Sequence, residues 1–261
     1  MFGSAALALM LSTGEPAQAQ ARELCPDRPG LGTPACTVEP GRSVFELGLV
    51  DWTLDRQPDV RTDTIVAGDI LLRFGLTPEL EAQVAWTAYG HVRSRDRPAG
   101  HVTTGSGTGD VRLSVRHSLS GPNGPVAIQP FVTLPTGGAA IGAGDWGAGV
   151  LLPFGFNLTK AIELDFTPEV DAAVDQDGSG RHLAFGGVVG LSTALTDRLG
   201  LTAELAARRD QDPSGTGKTA LASLSLAYRP GADTQLDLGS VAGLNRASPD
   251  VELYVGVVRR F

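Results

Sequence analysis

The chain is predicted to be all-β: a transmembrane antiparallel up-and-down β-barrel of about 12 strands, of bacterial outer-membrane type. Three observations predict it. Apolar residues alternate with polar or small ones over runs of about ten residues, repeatedly, from Ser43 to the end. No stretch of about 18 apolar residues offers a membrane-spanning helix. The 34 glycines in 261 residues are too many for a helical protein, because each interior glycine costs a helix roughly 1 kcal/mol relative to alanine. In lipid every backbone polar group must be bonded internally, so a chain without apolar helices can cross only as a closed barrel.

Composition narrows the partners. With 42% hydrophobic and 19% charged residues the chain has enough apolar surface to fold. A formal charge of -8 gives no basic footprint, so no nucleic acid is expected as a partner. Ala5 to Leu11 form an apolar run ahead of Ala17-Gln18-Ala19, which predicts a signal peptide over residues 1–19, although no Lys or Arg precedes Arg22. Its removal takes Glu15 and no base, leaving 21 bases and 28 acids, a charge of -7. Cys25 and Cys36, the only cysteines, lie in a Pro/Gly-rich stretch. Export to an oxidising compartment predicts that they pair, so that residues 20–42 form a disulfide-clipped segment under or inside a barrel spanning residues 43–261.

The strands are read in order. The first sets Phe45, Leu47 and Leu49 outward against Glu46 and Gly48. The second sets Val66, Ile70, Leu72 and Phe74 against Asp69, Leu71 and Arg73, and the third sets Ala82, Val84, Trp86 and Ala88 against Glu81, Gln83, Ala85 and Thr87. After a predicted long loop from Arg93 to Gly109, the fourth sets Val111, Leu113 and Val115 against Asp110, Arg112, Ser114 and Arg116. The fifth and sixth, roughly Pro125 to Pro135 and Trp146 to Phe156, are weakened by Pro130, Pro135 and Pro153, since proline interrupts a ladder. The seventh alternates without error: Ile162, Leu164, Phe166, Pro168 and Val170 outward, Glu163, Asp165, Thr167, Glu169 and Asp171 inward.

The eighth runs from His182 to Ser192. The ninth sets Leu199, Leu201, Ala203 and Leu205 against Thr202, Glu204 and Arg208, and leads into a polar loop predicted from Asp210 to Lys218. The tenth places Ala222, Leu224, Leu226 and Tyr228 outward, the eleventh runs from Thr234 to Leu244, and the twelfth sets Val251, Leu253, Val255 and Val257 against Glu252, Tyr254, Gly256, Val258 and Arg260. An even count puts both termini on one side. With strands about 4.8 Å apart and tilted about 40°, the backbone closes at a diameter of roughly 24 Å, suited to a small solute.

Particular segments carry a family resemblance: Pro130-Phe131-Val132-Thr133-Leu134-Pro135-Thr136-Gly137; Thr167-Pro168-Glu169-Val170-Asp171 continuing through Asp175-Gln176-Asp177-Gly178-Ser179-Gly180-Arg181-His182; Gly243-Leu244-Asn245-Arg246; and the Cys25 to Cys36 stretch. The chain resembles the outer-membrane transporter family associated with meta-pathway phenol degradation. The resemblance covers nearly the whole mature chain and implies an outer-membrane channel, with aromatic compounds among its solutes. A chain ending on Phe261 at an outward position also resembles the C-terminal signal of outer-membrane barrels, which implies barrel-assembly machinery as a partner beside outer-membrane lipid and a small-molecule solute.

The candidate functional residues are those that alternation turns inward. Glu163, Asp165, Glu169 and Asp171 form an acidic ladder that, with Arg112, Arg116, Glu204 and Arg208, is predicted to line a pore. Carboxylates in a row repel and persist only with water or opposite charge beside them. If water reaches them, the pore favours cations or polar solutes; if Arg112, Arg116, Arg208 and Arg260 neutralise them, the network braces a filled barrel. Passive diffusion of small molecules is the expected function, and a non-conducting structural or surface-interaction barrel is the alternative. No enzyme activity is expected, because His117 and Ser118 fall on opposite faces of a strand and Ser120 lies at a turn. Neither a cofactor nor a metal is expected: Asp175-x-Asp177-Gly178-x-Gly180 has calcium-loop spacing without the remaining ligands, and no nucleotide-binding loop occurs.

Overall fold

The computed structural model describes residues 22–261 apart from Asn123, and the signal peptide expected at residues 1–19 lies outside the described residues. The described strands are β1 (Ser43–Arg56), β2 (Val60–Thr77), β3 (Leu80–Asp96), β4 (Val102–Gly107), β5 (Val111–Ser118), β6 (Ala127–Leu134), β7 (Gly147–Leu151), β8 (Phe154–Asn157), β9 (Ile162–Val174), β10 (Arg181–Thr196), β11 (Leu199–Asp212), β12 (Gly215–Gly231), β13 (Thr234–Gly243) and β14 (Val251–Arg260). Every pairing between them is antiparallel. β14 returns to pair with β1, and β9 pairs with β10, so the sheet closes. β7 and β8 both lie along β9 and form one wall strand broken at Leu152-Pro153. β4 folds back on β3 alone. The wall is therefore a closed barrel of twelve strands.

Two segments read as loops are strand. The stretch from Arg93 to Gly109 is a hairpin, with β3 continuing to Asp96 and β4 returning beside it. The stretch from Asp210 to Lys218 is mostly ladder, because β11 runs to Asp212 and β12 starts at Gly215. Both are polar because they extend past the hydrocarbon into water, where strand pairing needs no apolar face. An 18-residue strand such as β2, tilted about 40° and rising about 3.3 Å per residue, exceeds the apolar band of about 25 Å.

One face assignment is corrected. Val66, read as outward, pairs with Asp51 and Gly90 and so shares the inner face, since Asp51 in turn pairs with the lumen residue Tyr254. The cause is Leu49, the extra residue of β1 at the register shift against β14; Gly68, with a φ of +71°, lies opposite it and keeps β2 in register, so the reversal passes on to β2. Each such bulge reverses the alternation beyond it.

The burial profile is the inverse of a water-soluble protein's. Phe166, Val170, Val189, Leu191, Leu205, Leu224, Leu238 and Leu253 are exposed on the outside, Leu238 to 56%, while Arg73, Arg116, Glu46 and Glu81 are wholly buried inside. Ile162, Phe166 and Val170 point outward, as the error-free alternation requires. Phe74, Phe156, Tyr228 and Phe261 are exposed near the end that carries the chain terminus, and Trp86, Tyr89 and Trp146 towards the other. Such aromatic residues flank the hydrocarbon band in membrane barrels. So wide an apolar exterior is covered by lipid. Arginine introduced for Val189, at the middle of β10, is expected to cost about 2–4 kcal/mol of folding stability in vesicles, read by urea titration; an unchanged midpoint would contradict a hydrocarbon-facing wall.

Candidate functional site

The turns on the side of the chain terminus are mostly short, 78–79, 158–161, 197–198 and 232–233, with 119–126 the longer exception, whereas the long connections 135–146, 175–180 and 244–250 all lie on the other side. Short turns mark the periplasmic end and long loops the extracellular end. The described N-terminal residues 22–42 enter the lumen from the periplasmic end. Gly41 N donates to Gly75 O, and Gly75 N donates to Arg42 O. A Cβ at Gly75 would stand 2.0 Å from the Glu39 carbonyl oxygen, so only glycine lets the segment pass this close to β2.

Inside, the segment is held by wall carboxylates that accept its backbone N–H groups. Glu46 accepts from Asp27 N and Arg28 N at 2.9 Å each, Glu204 from Leu31 N at 2.8 Å and Gly32 N at 2.9 Å, and Glu81 from Val38 N at 2.6 Å. Thr167 Oγ1 accepts from Thr33 N and donates to Thr33 O. The Cys25–Cys36 disulfide closes the loop between these anchors.

Two wall arginines grip the same loop. Arg73 donates to Glu81 through Nε at 2.9 Å and, through Nη1, to Glu46 and to the Cys25 carbonyl at 2.7 Å, with Asp27 at 3.0 Å. Arg116 donates to both oxygens of Asp27 through Nη2, to Cys36 O through Nη1 and to Gln129 through Nε. Burial pushes the Asp27 carboxyl up, but Arg116 and Arg73 outweigh it and hold Asp27 below the usual carboxylate range. Across the lumen, Arg28 pairs with Asp237 at 3.0 Å and lies over the Tyr254 ring. Arg260 at the end of β14 reaches Asp233, Glu39 and the Arg22 carbonyl.

The acidic ladder lies on the inner face of β9, in two environments. Asp165 stands beside Glu204 across Gly190, and Glu163 and Asp165 both face Gly155. Higher up, Asp171 pairs with Arg208 at 2.5 Å, with Glu169 at 3.9 Å from the same nitrogen. Arg112 lies 3.4 Å from the centre of the Phe131 ring. The geometry brings Glu169, Asp171 and Arg208 together; it separates Arg116 from them, because Arg116 is engaged by Asp27 and the Cys36 carbonyl of the N-terminal segment. Glu204 likewise serves that segment.

Sequence reasoning turned Glu46, Arg73, Glu81 and Gln83 inward without singling them out. Their signal was position: each charge stands within a few residues of a periplasmic strand end, at the height where a segment entering from that end must pass. His117 and Ser118 occupy opposite faces, and Ser118 Oγ donates to Gly121 O. Phe261 exchanges backbone hydrogen bonds with Ser43 and leaves its ring exposed.

Residues 26–261 match the family described as "Putative MetA-pathway of phenol degradation". The chain belongs to this family. The match starts inside the lumen segment, so it takes in most of the disulfide loop as well as the wall. An outer membrane channel from Pseudomonas putida F1 has the same fold with a TM-score of 0.71, at 15% identity over 87% of this chain and 98% of that one. The beta domain of the Bordetella autotransporter BrkA matches with a TM-score of 0.55, at 14% identity over 84% and 98%. The translocator domain of the autotransporter NalP from Neisseria meningitidis matches with 0.52, at 16% identity over 90% of each chain. No curated protein sequence matches. Closed, lipid-facing and similar in fold to these barrels, this family member is a bacterial outer-membrane protein.

Gly256 tests the lumen geometry. A Cβ there would lie 2.4 Å from Arg28 Nε, so Gly256→Ala is expected to expel Arg28 from Asp237 and, by leaving that buried carboxylate unpaired, to cost about 3–5 kcal/mol of folding stability, read by urea titration in vesicles. A midpoint equal to wild type would show that Arg28 does not occupy this place.

Proposed function

We propose that this barrel is a passive outer-membrane channel for small molecules, with the N-terminal segment narrowing its periplasmic half. The observation that carries this reading is that charged groups on the inner face remain open to water. Glu163 and Asp69 are exposed although they point inward, and the Arg208 side chain is 35% and that of Glu169 27% exposed. A filled barrel would bury them. Glu163, Asp165, Glu169, Asp171, Arg112 and Arg208 then line the wet path, with Arg116 and Glu204 at the edge of the narrowing. The fold shared with an outer membrane channel supports the reading, and the family's description supports aromatic compounds among the solutes. Phe131, with Arg112 over its ring, offers an apolar face beside charge for such a molecule. Phe261 is read as the recognition residue for barrel-assembly machinery.

One observation favours the alternative, a non-conducting structural barrel: the network from Arg73 and Arg116 to Asp27, Glu46 and Glu81 crosses the lumen without exposed members among the wall residues. Planar-bilayer recording separates the two. The channel reading expects discrete conductance steps, and expects the double variant Glu169→Lys/Asp171→Lys to lower cation preference at least severalfold. Silence at every voltage, in wild type and in the variant, favours the structural barrel.

A further inference from the structure

At the extracellular mouth the β9–β10 turn and the end of β11 bring one histidine and three aspartates together. His182 is the second residue of β10, Asp175 follows β9 directly, and Asp210 and Asp212 end β11. The imidazole is 6% exposed. Its Nδ1 faces Asp175 Oδ1 at 2.8 Å and Asp212 Oδ2 at 3.5 Å. Its buried Nε2 lies against Asp210 Oδ1 in an ion-pair contact. One ligand atom each from Asp175, His182 and Asp212 fall within 4.8 Å of one another.

The cluster is built to keep this shape. Asp212 accepts from Gln176 N and Ser214 N at 2.7 Å each. Gly180 makes room for Asp175, since a Cβ there would stand 2.5 Å from Asp175 Oδ2. Asp177, the other carboxylate of the apparent calcium loop, turns away and accepts from Ser179 N. Among the described residues no lysine or arginine forms a salt bridge with Asp175, Asp210 or Asp212. The neighbouring bases are engaged elsewhere, Arg208 with Asp171 and Arg181 with Asp145 and the Trp146 ring.

Three carboxylates around one imidazole leave a charge problem. Nδ1 can share a single proton between two carboxylates that repel each other, while Nε2 faces the third. A divalent cation among Nδ1, Asp175 and Asp212 removes the repulsion. It also leaves Nε2–H to point at Asp210, the arrangement by which a carboxylate fixes the tautomer and orientation of a metal-bound histidine. One nitrogen and two carboxylate oxygens suit a borderline ion such as Zn²⁺, whereas calcium and magnesium select oxygen donors throughout.

We propose that Asp175, His182 and Asp212 bind one Zn²⁺-type cation, with Asp210 as the residue that positions the histidine. The cation ties the β9–β10 turn to β11 and shapes the mouth.

The test is calorimetric titration of ZnCl₂ into the untagged chain, folded in detergent at neutral pH, with heat-modifiable gel migration as the check that each variant is folded. One ion per chain is expected, with affinity lowered at least about tenfold in both His182→Gln and Asp212→Asn. Asp210→Asn is expected to weaken binding less than either and to leave the stoichiometry at one. Absence of saturable binding, as for a histidine held by its own proton, would overturn the proposal. So would affinity unchanged in the folded His182→Gln and Asp212→Asn variants, or tighter binding of CaCl₂ than of ZnCl₂. None of these outcomes depends on conduction, so the site stands or falls apart from the channel reading.

Discussion

A guanidinium with no access to water must direct its five N–H donors to protein acceptors, and Arg73 meets that demand with three carboxylates and the Cys25 and Cys36 carbonyls. These acceptors come from β1, β3 and the N-terminal segment. The segment is thus part of the charge balance of the barrel and not a tail lying in it. Removing one partner from such a buried network costs about 3–5 kcal/mol, because it strands the others. Arg116 repeats the arrangement from β5. The disulfide holds the Cys25 and Cys36 carbonyls where the two arginines meet them.

The same constraint divides the lumen. In the periplasmic half, the charges around residues 22–42 are enclosed and paired, and backbone N–H groups of the segment serve as donors to Glu46, Glu81 and Glu204, while Glu163 at the rim stays in water. In the extracellular half, Glu169, Arg208 and Asp69 stay in contact with water. Outside, the rule is inverted: hydrocarbon accepts only side chains such as Val189, Leu205 and Leu238 and requires each backbone group to be bonded along the ladder. The closed sheet satisfies both conditions with one two-residue periodicity.

That periodicity made most of the wall legible in the sequence. β9, β5 and β14 could be read residue by residue, since nothing interrupts their alternation. Legibility ended where alternation is broken or unnecessary. Leu49, the extra residue of β1, reverses the faces of β1 and β2 and carried no sign of that role. Leu152-Pro153 splits one wall strand into β7 and β8. The outer parts of β3 and β11 leave the hydrocarbon and lose their apolar face, so they read as loops. The inward charges were legible as a set, but their partners were not. Whether Arg116 meets the ladder or Asp27 depends on the path of residues 22–42, and no pattern in that Pro/Gly-rich stretch encodes its path. The His182 cluster was hidden for the same reason, since β11 supplies two of its members from a segment that read as a loop.

The central claim is that residues 22–42 run through the lumen against β9 and β11. A Cβ at Gly32 would stand 3.6 Å from Thr167 Oγ1, close enough for a disulfide. The most direct measurement is peptide mapping of the Gly32→Cys/Thr167→Cys protein after folding in a buffer of reduced and oxidised glutathione, whose disulfide accepts the electrons and leaves as glutathione thiol. A near-complete intramolecular 32–167 link beside the native 25–36 link is the predicted result. Free thiols at 32 and 167 in a protein that migrates as folded would contradict it.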